Sequence, residues 1–119
     1  MAVANTVSVD DLRRAIEGRD GKMLAEFFRD DAVVRIIDRD HPPSMPREIR
    51  GREAIGAFFD DICGREMIHR LESGLADGER VAYTESCAYP DGTKVFASAM
   101  MELKNGRVAR ETIVQAWDG

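Results

Sequence analysis

A chain of 119 residues with 44% hydrophobic and 33% charged residues has the make-up of one globular domain, large enough to build a core without disulfide staples. Its net charge of −5 and pI near 5.0 argue against nucleic acid, whose phosphates need a basic surface. No apolar run reaches membrane-spanning length, and Met1–Val9 lacks the basic start and apolar middle of a signal peptide, so no membrane and a cytoplasmic location are expected.

The first helix opens at Ser8, whose side chain suits an N-cap, with Asp10 and Asp11 in the first turn and Leu12, Ala15 and Ile16 as the apolar stripe. Gly18 closes it. Asp20-Gly21 starts a second helix in which Met23, Leu24, Phe27 and Phe28 recur at helical spacing, making an αα-hairpin. Asp30-Asp31 ends it, and Ala32–Asp38 alternates as a strand. Arg39 to Arg47 holds His41 and three prolines and reads as a loop on a pocket rim. A short strand precedes Gly51. A third helix runs from about Glu53 to Ile62, with Ile55, Phe58, Phe59 and Ile62 apolar and Gly64 at its end.

From Met67 the period becomes two. Met67–Leu75, Arg80–Tyr89, Lys94–Lys104 and Arg107–Trp117 are four strands joined by Asp77-Gly78, Asp91-Gly92 and Asn105-Gly106, a meander of three hairpins. Helices first and strands second is an α+β pattern, with the helices on one face of the sheet. Cys63 and Cys87 lack metal-type spacing and read as reduced, structural thiols.

Alternation sorts the faces. A two-residue Asp91-Gly92 turn places Tyr83, Glu85, Cys87, Tyr89, Phe96, Ser98, Met100, Glu111, Ile113, Gln115 and Trp117 on one side. Aromatic rings mixed with convergent polar groups suggest the concave, helix-covered pocket face. The other side collects Ala82, Thr84, Ser86, Ala88, Val95, Ala97, Ala99, Met101, Val108, Thr112, Val114 and Ala116. This small-residue face is expected to pair with a second copy in a homodimer. His69 falls on the pocket face if the Asp77-Gly78 turn has three residues and on the other if it has two; the apolar company of Met67, Leu71 and Leu75 favours the pocket.

Phe27-Phe28-Arg29-Asp30-Asp31-Ala32-Val33-Val34, Gly51 through Phe59, Ala76 through Ala82, and Asn105-Gly106-Arg107-Val108 ending in Trp117-Asp118 together resemble the SnoaL-like, nuclear-transport-factor-2-like superfamily. The resemblance spans nearly all of residues 1–119 and implies a single domain with a cystatin-like cone. In it, three N-terminal helices pack on a curved, mixed, mostly antiparallel sheet of about six strands, the last strand sits mid-sheet, and dimers form through the sheet. It also implies what is missing. The Tyr donor of the ketosteroid isomerases falls on Leu12, their Asp base on Ile36 and their protonated Asp near Met100. The cyclase Asp falls on Ile113. The His of scytalone dehydratase-like members matches His69.

The expected activity is therefore that of a small-molecule pocket protein, acting by acid–base proton transfer on a polycyclic or other apolar, carbonyl-bearing metabolite, with no metal or organic cofactor. A non-catalytic ligand-binding or dimerisation module is the alternative. His69, whose ordinary pKa lies near working pH, is the candidate proton-transfer group, assisted by Glu111 or Asp38. Tyr83, Glu85, Phe96, Ser98, Met100, Ile113, Gln115 and Trp117 are the candidate substrate-binding residues. Plain alternatives stand beside these: a backbone-bonded buried histidine, an ion-paired Glu111, a turn-capping Asp38 and a Trp117 that is only core.

Overall fold

A computed structural model describes residues 6–118; the first residues of the Met1–Val9 stretch lie outside them. The elements are α1 (Val9–Glu17), α2 (Gly21–Glu26), β1 (Phe28–Ile37), β2 (Arg47–Arg50), α3 (Arg52–Cys63), β3 (Ile68–Ala76), β4 (Arg80–Ala88), β5 (Lys94–Lys104) and β6 (Arg107–Trp117). Six strands form one sheet in the order β2-β1-β6-β5-β4-β3. Every pairing is antiparallel except β1 with β6, which puts the last strand mid-sheet. No helix among the described residues is long and apolar enough to cross a membrane.

Local chemistry explains the helix starts. Ser8 accepts the Asp11 N–H at 3.1 Å and Asp20 accepts that of Met23 at 3.0 Å, each satisfying a donor that the first helical turn leaves without a partner. The second helix is shorter than its apolar period suggests. It stops at Glu26, and Phe28 opens β1, fully buried, 5.6 Å from the Phe59 ring of α3. Leu12, Ala15 and Ile16 of α1, Leu24 of α2 and Ile55 and Phe59 of α3 cover the sheet face formed by Val34, Ile36, Leu71, Val81, Tyr83, Ala99, Met101, Val108 and Ile113. Gly74 on β3 makes room for α1, since a Cβ there would stand 2.8 Å from Val9 Cγ1.

Three registers decide which side chains face that core, and each departs from the expected turn or from strict alternation. The β4–β5 loop has three residues, Pro90, Asp91 and Gly92, with Ala88 opposite Lys94; Tyr89 N–H donates to Thr93 O at 2.9 Å and Gly92 takes φ +93°. A two-residue turn would have shifted the pairing by one. The real loop turns Val95, Ala97, Ala99 and Met101 inward and leaves Phe96, Ser98 and Met100 outside, reversing β5 relative to the sequence expectation. On β6 a bulge at Ala109 pairs Leu103 with Val108 but Glu102 with Arg110. Val108 and Glu111 therefore both point inward, although strict alternation separates them.

On β3 two deviations offset each other near His69. The hairpin turns on Gly78-Glu79, with Asp77 N–H donating to Arg80 O. A bulge at Glu72 then moves the pairing one step, from Ser73 opposite Thr84 to Leu71 opposite Glu85. His69 ends opposite Cys87 and buried, while Leu75, beyond the bulge, faces out at 75% exposure.

Candidate functional site

Inward Ala97, a wall residue, opens the hollow on β5. Ala97 lies between Glu85 on β4 and Gln115 on β6, and Ala99 between Tyr83 and Ile113. Methyl groups flanked by long side chains leave a gap that the helices roof without filling. The resulting cavity, about 90 Å³, is walled by His69, Tyr83, Glu85, Cys87, Val95, Ala97, Ile113, Gln115 and Trp117 and by Ile16, Leu24, Phe58, Phe59, Ile62 and Cys63 from the helices. Arg65, Met67 and Tyr89 complete it. This is smaller than the ~150 Å³ that accommodates a benzene ring, so a polycyclic ligand does not fit in this conformation.

One polar group centres on His69. Its Nδ1 is 3.1 Å from Cys87 Sγ and 3.6 Å from Glu85 Oε1, and Cys87 Sγ donates to the same Glu85 oxygen at 3.1 Å. Burial, then the charge and hydrogen bond of Glu85, push the Cys87 thiol pKa well above the usual range, so the thiol keeps its proton. His69 Nε2 is buried without a partner among the described residues, a polar atom available to a ligand. Together these residues could hold either a ligand's polar end or a metal ion.

A second group lies deeper. Glu111 is 1% exposed, set between Met101 of β5 and Val34 of β1, and accepts the Tyr83 hydroxyl at 2.6 Å. Burial pushes its carboxyl up to about 8, against the lowering effect of the Tyr83 hydrogen bond and with a further rise from Glu85. Glu111 is thus largely neutral at pH 7. It is not among the residues that wall the cavity, whereas Tyr83 is.

The rim is aromatic and cationic. Trp117 stacks on Tyr89 with centroids 6.1 Å apart and donates from Nε1 to Gln115 Oε1 at 3.1 Å. The Arg39 guanidinium sits 4.7 Å from the Trp117 ring centroid, and Arg65 donates to the Tyr89 hydroxyl at 3.0 Å. Both contacts set a cation against an aromatic residue of the rim.

Of the expected site residues, the structure brings together His69, Tyr83, Glu85, Ile113, Gln115 and Trp117 around the cavity, with Glu111 behind Tyr83. Phe96, Ser98 and Met100 are corrected to the outer face by the three-residue loop. Asp38 is also elsewhere. It closes a turn, accepting from Asp40 N–H at 2.9 Å and contacting His41 Nδ1 at 2.8 Å. Partial burial raises its pKa, but the His41 and backbone hydrogen bonds outweigh this and hold it below the carboxylate norm, unlike a proton acceptor. Ala97 and Cys63 are cavity residues that the sequence does not signal, whereas Cys87, which alternation puts on the pocket face, gains a polar contact with His69 that chain spacing conceals.

A profile of the SnoaL-like domain matches residues 9–111. The chain belongs to the SnoaL-like domain family. Solved structures similar to this SnoaL-like chain include an NTF2-like protein of unknown function from Mesorhizobium loti, 19% identical with a TM-score of 0.74 over 92% of this chain and 89% of that one. An NTF-2 like protein of unknown function from Burkholderia xenovorans is 21% identical, TM-score 0.74, over 92% and 79%. A steroid delta-isomerase from Pseudomonas aeruginosa is 16% identical, TM-score 0.69, over 91% and 76%. These likenesses establish the cone-shaped α+β fold. No curated protein matches the chain. Leu12 and Ile36, where resemblance places the isomerase Tyr and Asp, are buried in the apolar core. The third position, near Met100, falls on the outer face, and its inward neighbours Ala99 and Met101 carry no donor either.

Proposed function

We propose that this SnoaL-like protein binds a small, largely apolar, carbonyl-bearing molecule in its cone and moves a proton on it, with His69 as the proton-transfer group. The observation that carries the reading is the buried His69 ring in the cavity wall: Nδ1 is held beside Glu85 and Cys87, and Nε2 has no partner among the described residues. A neutral imidazole whose one nitrogen is fixed by a neighbour presents the other to a ligand as acceptor or donor. Glu85, 3.6 Å from Nδ1, stabilises the imidazolium that forms when a proton is taken. The cavity volume limits the enclosed part of the ligand to a few heavy atoms, with the remainder projecting past Trp117 and Tyr89.

The test is solvent-deuterium exchange into the α-carbon of a panel of small ketones and enones, followed by NMR. The wild type should catalyse exchange on at least one member. His69→Gln should lower the rate by about 10²-fold or more, the scale of a positioned acid–base group, while binding is retained. Exchange that survives in H69Q would reject the assignment. The vacated isomerase positions at Leu12 and Ile36 favour one other reading, a non-catalytic binding module; binding by the same panel with no exchange in the wild type would select it.

A further inference from the structure

Edge strand β3 and its neighbour β4 bring an imidazole, a carboxylate and a thiol to one spot of the cavity wall. His69 is directly opposite Cys87, and Glu85 follows two residues away on the same face. Their atoms form a closed triangle: Nδ1 to Sγ 3.1 Å, Sγ to Oε1 3.1 Å, Nδ1 to Oε1 3.6 Å. Around a tetrahedral zinc ion, with Zn–S about 2.3 Å and Zn–N and Zn–O about 2.0–2.1 Å, ligand atoms stand about 3.3–3.6 Å apart. Each observed edge is within about 0.5 Å of that spacing, so side-chain adjustments alone close the difference.

We propose that His69 Nδ1, Cys87 Sγ and Glu85 Oε1 form a binding site for a thiophilic divalent cation of the zinc type. The donor set selects the ion: thiolate and imidazole suit zinc, whereas calcium and magnesium take oxygen ligands. Charge agrees, because a thiolate and a carboxylate offset the two positive charges of the ion while the imidazole stays neutral. Burial agrees too. His69 and Cys87 are 7% and 8% exposed, and Glu85 is partly open, leaving a path in. Among the described residues no other three His, Cys, Asp or Glu side chains converge in this way. Chain spacing conceals the set, since its members come from facing strands rather than one short motif.

Binding exchanges one proton for the ion. The Cys87 S–H bond, which now donates to Glu85, breaks; the sulfur pair goes to the cation and the proton to solvent. Three protein ligands leave a fourth position for water. The inference does not rest on the acid–base reading. An Nδ1 bound to a cation cannot also carry a proton, so ion and His69 proton transfer exclude each other in one molecule.

The experiment titrates the metal-free full-length protein with Zn²⁺ by calorimetry and with Co²⁺ by absorbance. Expected are one tight Zn²⁺ per chain, release of one proton per ion bound, and a near-ultraviolet thiolate-to-cobalt band with tetrahedral visible bands. Cys87→Ser and His69→Ala should each weaken binding by more than about 100-fold, beyond the 10–100-fold typical of losing an outer partner. Cys63→Ser should leave the cobalt spectrum unchanged. Absence of a thiolate band in the wild type, or a band that disappears with Cys63 and survives Cys87→Ser, would overturn the proposal, and the first of these results needs no variant at all. Deuterium exchange by metal-free protein is a separate readout, so loss of the metal site and loss of the proton-transfer reading remain distinguishable.

Discussion

Glu111 is the residue whose chemistry departs furthest from its sequence. An acid on a strand is ordinarily solvated; this one is sealed between Met101 and Val34 and, among the described residues, bonds only to Tyr83. Unfolded, it titrates near 4.5; folded, near 8. Between those values the folded chain holds a proton that the unfolded chain has released. Its stabilising contribution is therefore full below the unfolded pKa, declines as the pH rises and levels off above the folded one. Urea midpoints measured at about pH 5 and about pH 8.5 should fall more for the wild type than for Glu111→Gln, which has nothing to titrate. Parallel pH profiles for the two proteins would show that Glu111 is not buried as described. Tyr83→Phe should cost about 1–3 kcal/mol, because it leaves a buried carboxyl with no donor. The position of Glu111 among pocket-facing residues was readable from alternation along the last strand. Its neutrality was not, because that depends on Met101, whose own side was assigned wrongly from the sequence.

At the scale of elements, the expected helices, strands and meander came from capping residues, apolar periods and Gly-containing turns, and most boundaries hold within a few residues. Asn105-Gly106 carried its register correctly: both residues have positive φ, and Lys104 pairs with Arg107. Asp91-Gly92 did not, because Pro90 joins the loop and moves the pairing by one. Pro90 separates those two outcomes, since it has no N–H to close a two-residue turn on Thr93 O and Tyr89 makes that bond instead, and the single step reverses a whole strand. The bulges at Glu72 and Ala109, by contrast, are tertiary adjustments without a local code. The reversal of β5 matters for the site. Had Phe96 and Met100 faced in, their side chains would fill the space that Ala97 and Ala99 leave open. Paired substitutions test the sidedness directly. Ala97→Glu should destabilise the fold by about 1–3 kcal/mol or more through burial of an unpaired carboxyl, whereas Ser98→Glu, one residue away on the outer face, should change the stability of the monomer, measured at a dilution where copies do not associate, by less than about 0.5 kcal/mol. Equal effects in thermal or urea unfolding would contradict the register.

For the whole molecule, the reversal also changes what the outer sheet face offers. The sequence led to a flat face of small residues, with Ala97 and Ala99 at its centre. The actual face sets exposed Phe96, Met100 and Val114 among Ala82, Thr84, Ser86, Ser98, Thr112 and Ala116, with Ile68 and Leu75 on β3 at its edge. Charged residues stand only at the ends of its central strands (Arg80, Lys94, Glu102 and Arg110), so the middle of the face is uncharged, while the chain as a whole carries −5. We propose a second copy as the partner of this face: its uncharged middle can meet its own symmetry mate without opposing like charges, whereas approach of two copies through their acidic surfaces is repulsive. We expect a homodimer joined sheet to sheet, with Phe96 and Met100 as its central contacts. Sedimentation at micromolar concentration should show a dimer for the wild type and a monomer for Met100→Glu, since a carboxylate at the centre would be desolvated beside its own symmetry mate. Because Met100 is 45% exposed in the isolated chain, the substitution should spare the monomer fold, so circular dichroism separates lost association from lost structure. A wild type that remains monomeric, or a Met100→Glu variant that still dimerises, would mean that these apolar side chains serve no contact between copies.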